Sequence, residues 1–131
     1  ANLIQANEET AIFFDLFVQL MRKCYMRDIK EMQKWSELVA EWGREKQKNF
    51  LRYCQHMVRE NFIFNFHEPD LNYLATNERE FSTRFSPFIN ERNVIGIMEE
   101  LSLAERDITQ NVNPRMVFFD FALKMIVLLI K

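Results

Sequence analysis

The sequence predicts an all-α fold: a compact bundle of about five to six helices, forming a single domain over residues 1–131. Three observations carry that expectation. Apolar residues recur at helical spacing along most of the chain. Only two glycines, Gly43 and Gly96, occur in 131 residues, too few for most turn-dense β folds or for a glycine-rich phosphate loop. Hydrophobic residues make up 48% and aromatics 14%, against a net charge of −2. Such a chain can bury a core, which excludes a disordered one.

The first helix is marked by Ile12, Phe13, Leu16, Phe17, Leu20, Met21 and Cys24, paired every four residues. Asn7 is placed to cap it, and Glu8 and Glu9 put negative charge at its positive end. A second helix begins at Asp28, whose spacing to Glu31 fits a capping box with Asp in the Ser/Thr place. Its stripe is Ile29, Met32, Trp35, Leu38, Val39 and Trp42, with Gly43 as the expected break. The third stripe is Phe50, Leu51, Cys54, Met57, Val58 and Phe62.

From Asn65 to Asn77 the character changes, and Pro69 among polar residues reads as a connecting loop. Glu78 to Phe85 reads as a short helix stopping before Pro87, because a residue preceding proline is pushed from helical angles. A long helix then carries Val94, Ile97, Met98, Leu101, Ala104 and Ile108, ending near Asn111. Pro114 fits the first turn of a last helix capped by Asn113.

Most familiar chemistry is missing. Cys24 and Cys54 do not make a disulfide scaffold and read as small apolar residues on buried faces. Cys54 and His56 lie two apart on a helix and so diverge, which excludes a nucleophile–base pair. Neither histidine has a glutamate three residues before it, and no paired Cys/His spacing supports zinc. His67, Glu68 and Asp70 offer at most a weak cation site in a solvated loop. No catalytic residue, cofactor, metal or small-molecule substrate is expected, nor a membrane span. A start at Ala1 rather than Met reads as an excised or processed piece, and a cytoplasmic location is the expectation.

Two features remain as candidate interaction surfaces. From Arg22 to Arg59 ten basic residues stand against five acidic ones, whereas from Glu60 to Asp107 ten acids stand against four bases. Such asymmetry either steers a partner or only keeps helix faces solvated. Within the basic half, Arg44, Lys48 and Arg52 on the third helix are candidates for weak DNA contact, which needs only positioned cations. The second feature is the last helix, where only Asp120 and Lys124 are polar from Met116 to Ile130. A helix apolar nearly all round is buried on several sides. It is either the central core helix or a subunit contact made by Phe118, Phe119, Phe121, Ile126, Val127 and Ile130.

Two stretches resemble a known family. The junction of the last two long helices reads Leu101-x-x-Ala104-x-x-x-Ile108-x-x-Asn111-x-Asn113-Pro114-x-Met116-x-x-x-Asp120. Upstream stands Trp35-x-x-Leu38-x-x-x-Trp42-Gly43-Arg44-Glu45-x-x-x-x-Phe50-Leu51. Together, over roughly Ile29 to Leu129, they resemble the C-terminal helical collar domain of bacterial DNA polymerase III clamp-loader subunits, of delta-prime or gamma/tau type. The Phe-rich last helix and the loop around Pro69 depart from the family pattern.

The resemblance implies a non-catalytic oligomerisation domain that helps load the sliding clamp in DNA replication, with other loader subunits as partners. It implies that DNA and clamp are reached only through other domains. An N-terminal AAA+ module belongs to such subunits and is absent from this chain. The delta-prime type is the closer expectation. The alternative is a small helical nucleic-acid-binding or regulatory module using the basic third helix; a bundle enclosing a hydrophobic ligand is a more remote one.

Overall fold

This computed structural model describes residues 3–64 and 84–129. The helices are α1 (Leu3–Met26), α2 (Ile29–Ala40), α3 (Arg44–Phe64), α4 (Val94–Thr109) and α5 (Pro114–Leu129), with a 3₁₀ turn at Ser86–Phe88 before α4. Among the described residues there is no strand, and the helices pack on one another as an all-α bundle. The expected loop at 65–77 and its cation candidates His67, Glu68 and Asp70 lie outside the described residues, as do residues 78–83 of the expected short helix. Arg84 and Phe85 are helical, and the chain then tightens into the 3₁₀ turn with Pro87 inside it rather than stopping short of the proline.

Helix boundaries follow local chemistry, with two corrections to the sequence reading. α1 begins at Leu3, so Asn7 lies inside the helix and is not its cap. The Leu-Ile-Gln-Ala run ahead of it has favourable helix propensity throughout and extends the helix upstream. α1 ends with Arg27 in the left-handed region at φ 57°. The Arg27 N–H donates to the Cys24 carbonyl at 3.2 Å and the Asp28 N–H to the Lys23 carbonyl at 3.0 Å, so both orphan carbonyls are used. A left-handed residue that carries a Cβ costs about 1–2 kcal/mol.

α2 starts as expected, with Asp28 Oδ1 accepting the Glu31 N–H at 3.2 Å. The reciprocal half of the box does not form, because Glu31 Oε1 takes Lys34 Nζ at 3.1 Å instead. Asp28→Ala should therefore lower stability by about 1 kcal/mol, the usual cost of a lost cap, in a urea titration.

The end of α2 is the second correction. The chain does leave the helix at 41–43, but Gly43 has no positive φ and supplies no left-handed cap. A side chain does the capping. Gln47, buried in the first turn of α3, shares its Nε2 protons among the carbonyls of Val39 at 3.1 Å, Ala40 at 3.3 Å and Trp42 at 2.9 Å.

The elbow between α4 and α5 is as expected. Asn111, at φ 66°, closes α4 as Arg27 closes α1, with the Val112 N–H donating to the Asp107 carbonyl at 3.0 Å. Asn113 Oδ1 then accepts the Arg115 N–H at 3.0 Å, with Pro114 opening α5.

α5 occupies the middle of the bundle, packed against α1, α2 and α4, while α3 covers α4, the 3₁₀ turn and part of α1. α4 and α5 run antiparallel: Glu100 Oε2 lies 3.4 Å from Lys124 Nζ, and Asn93 Nδ2 reaches the Leu128 carbonyl at 3.0 Å. The two helices come close at Gly96, where a Cβ would lie 2.9 Å from Leu128 Cδ2 and would make that side-chain tip shift. Aromatic rings fill the core around α5. Trp35 stands edge-on to Phe118 at 6.0 Å and packs on Phe50 at 5.9 Å, and Phe50 packs on Phe13 at 5.4 Å. The Trp35 indole N–H donates to the Leu16 carbonyl at 3.1 Å, so its burial leaves no unpaired donor.

Candidate subunit interface

The six residues proposed for subunit contact divide when α5 is placed. Phe118 and Phe121 are core residues, 0% and 3% exposed, and so are not an interface of the folded chain. Phe119 and Ile126 are half-buried against the same core. Val127 is exposed at 55%, and Ile130 lies outside the described residues. The physical reason is the number of neighbours. Successive residues turn by about 100°, so Phe118, Phe119 and Phe121 span an arc wider than one helix–helix contact covers. Among the described residues α5 packs against α1, α2 and α4, with Phe50 of α3 set against Phe118, and most of that arc is covered.

What α5 turns outward is Met116, Asp120, Lys124 and Val127. Lys124 Nζ sits 2.9 Å from Asp120 and 3.4 Å from Glu100, so this strip is apolar at its ends and ion-paired in its middle. The hydrogen bond that Lys124 donates to Asp120, with the charge of Glu100, holds the Lys124 ammonium above its usual range.

A second apolar strip lies on α4, whose sequence periodicity points only to the core. Ile95, 67% exposed, Met98 and Leu103 follow one another along its outer face, with Ser102 between turns and Glu99 and Arg106 at the edges. The spacing is visible in the sequence, but the inner stripe Ile97, Leu101, Ala104 and Ile108 is longer and masks it.

The proposed DNA contacts are partly neutralised. Lys48 Nζ is 3.0 Å from Glu45, and Arg52 Nε is 3.0 Å from Glu105, which also accepts from Gln55 at 3.0 Å. The Lys48 ammonium holds the Glu45 carboxyl below the usual range. Arg44 is exposed. Pairs of this kind reduce the positive field that phosphate binding requires.

Both thiols are buried and unbridged. Cys24 donates to the Ala122 carbonyl at 3.6 Å, and burial pushes its pKa from 9.0 up to about 12. Cys54 is pushed up by burial as well. An acid whose folded pKa is raised stabilises the fold fully below its unfolded value, and the contribution is lost as pH climbs toward the folded one. Stability should therefore decline from pH 9.0 toward about 12, by at most about 1.4 kcal/mol per pH unit for each thiol. In urea titrations across that range, a Cys24→Ala/Cys54→Ala variant should show the shallower slope.

Among the described residues no cluster of three or more His, Cys, Asp or Glu could hold a metal ion, and no helix is long and apolar enough to cross a membrane. Sequence reading missed Gln47 and Asn93. Asn93, fully buried, donates to the carbonyls of Phe88 at 2.8 Å and Leu128 at 3.0 Å while its Oδ1 accepts the Asn90 N–H at 2.9 Å. Compared with protein-family models, curated proteins and solved structures, the chain shows no match.

Proposed function

We propose that this chain is a non-catalytic oligomerisation domain, the collar-type helical domain of a bacterial DNA polymerase III clamp-loader subunit of delta-prime type. The observation that carries the reading is the α4–α5 unit. Its Asn111-x-Asn113-Pro114 elbow joins two antiparallel helices, of which the second is central and the first carries an exposed apolar strip. The Trp35–Leu51 resemblance supports it, since α2 ends and α3 begins within that stretch. A ring of subunits needs outward surfaces on each member. Ile95, Met98 and Leu103 on α4, with Met116 and Val127 on α5, supply them in place of Phe118 and Phe121.

Gel filtration of the chain mixed with purified gamma/tau and delta loader subunits tests this. Co-elution is expected, and Ile95→Glu should abolish it while leaving the helical circular dichroism spectrum intact. Absence of co-elution with every loader subunit would refute the assignment. The nucleic-acid reading has less support, because Lys48 and Arg52 are engaged by Glu45 and Glu105.

A further inference from the structure

A groove separate from the α4 strip runs between the C-terminal half of α1, the 3₁₀ turn and the end of α5. Its volume is about 960 Å³. Val18, Met21, Ile126 and Leu129 form its apolar floor, and Tyr25 and Phe88 stand over it edge to face at 5.7 Å. Tyr25 and Met26, each 72% exposed, are the most exposed large apolar side chains among the described residues. Large apolar surface left in water at one place marks a binding site.

Among the described residues, the charge lining this groove has one sign. Arg22, Arg27 and Arg84 line it, and among the described residues no Asp or Glu does. All three arginines are exposed, and among the described residues none is ion-paired, in contrast to Lys48, Arg52 and Lys124 elsewhere on the molecule. The shape favours an elongated occupant. Lining residues run along α1 from Phe14 to Met26, which at 1.5 Å per residue is about 18 Å, or more than three helical turns. We infer that the groove is a docking site for an amphipathic helix of a partner protein, one with an apolar face flanked by carboxylates. The apolar ridge of that helix would lie on Met21, Ile126 and Leu129, and its carboxylates would meet the three arginines as charge-assisted hydrogen bonds. This assignment is independent of the collar reading, whose surfaces lie on α4 and on the outer face of α5.

The test is fluorescence anisotropy of the 131-residue chain with two labelled 18-residue model helices, both carrying Leu along one face. One has Glu on its flanks and the other Lys. The Glu-flanked peptide should bind at least tenfold more tightly, and more weakly as salt rises. Arg22→Glu/Arg84→Glu, both exposed sites, should lower its affinity at least tenfold with an unchanged circular dichroism spectrum. Met21 being buried, the apolar floor is probed instead by Tyr25→Ala, which should also weaken binding. Equal binding of the two peptides, indifference to charge reversal, or no binding up to millimolar peptide would overturn the inference. So would tight binding of dodecanoate with no binding of the peptide, since that would make the groove a fatty-acid site.

Discussion

Phe118→Ala should destabilise the chain by about 3–5 kcal/mol, the usual cost of emptying a phenylalanine site in a core. Phe118 is fully buried, edge-on to Trp35 at 6.0 Å and packed on Phe50 at 6.4 Å. The truncation removes both ring contacts and leaves a cavity at the centre of the bundle, where α5 meets its neighbours. For a domain with a total stability of about 5–15 kcal/mol, this is a large fraction. Urea unfolding followed by tryptophan fluorescence reads it directly, because Trp35 is one of the two tryptophans. Val127→Ala, nine residues further along the same helix but exposed, should change stability by no more than about 0.5 kcal/mol. A loss below about 1 kcal/mol for Phe118→Ala would put that ring on the surface and reopen the contact role assigned from sequence.

Gln47→Leu should cost about 1–3 kcal/mol even though the side-chain volume is nearly kept. The amide of Gln47 is the donor for three carbonyls at the end of α2, and leucine withdraws it from all three, although the Val39 carbonyl keeps the Trp42 N–H. A buried polar group stripped of its partner costs about 1–3 kcal/mol. The loss should be local as well as global. Hydrogen exchange at the Glu41 and Trp42 amides, which hold the last turn through the Leu38 and Val39 carbonyls, should accelerate more than exchange in α4. The neighbouring Lys46→Ala is the control. Lys46 Nζ lies 4.5 Å from the Trp42 ring centroid, a contact worth about 0.5–1 kcal/mol at an exposed site. Comparable losses for the two variants would remove the capping role from Gln47.

The contrast between these residues explains what was legible in the sequence. The stripes of α1, α2, α3 and α4 were readable because one face of each is buried, and periodicity reports a single face well. The caps at Asp28 and Asn113 were readable because the hydrogen bond spans two or three residues. Asn7, followed by two glutamates, imitates a helix start, yet nothing in that local signal prevents the helix from continuing upstream.

The fate of Phe118 and Phe121 was not legible. An all-round apolar helix has the same pattern whether it is central or half-shared with a neighbour, and only the number of helices around it decides. Gln47 carried no signal either, since a glutamine in a charged first turn reads as solvated until α2 folds back against it. The groove arginines show in the sequence only as charge, because Arg22 and Arg84 are 62 positions apart.

The central position of α5 bears on how the chain acquires its structure. α5 is made after the other four described helices, yet it fills the space between α1, α2 and α4. The Cys24–Ala122 hydrogen bond alone joins residues 98 positions apart. A growing chain that has reached only Thr109 therefore holds an open cleft, with Trp35 and Phe50 lacking the ring that closes over them. Contacts of such separation slow folding, and apolar surface exposed in the interval invites aggregation. Pro114, which fixes the first turn of α5, and Asn113, which caps it, shorten that interval by helping the final helix to form as soon as it is made.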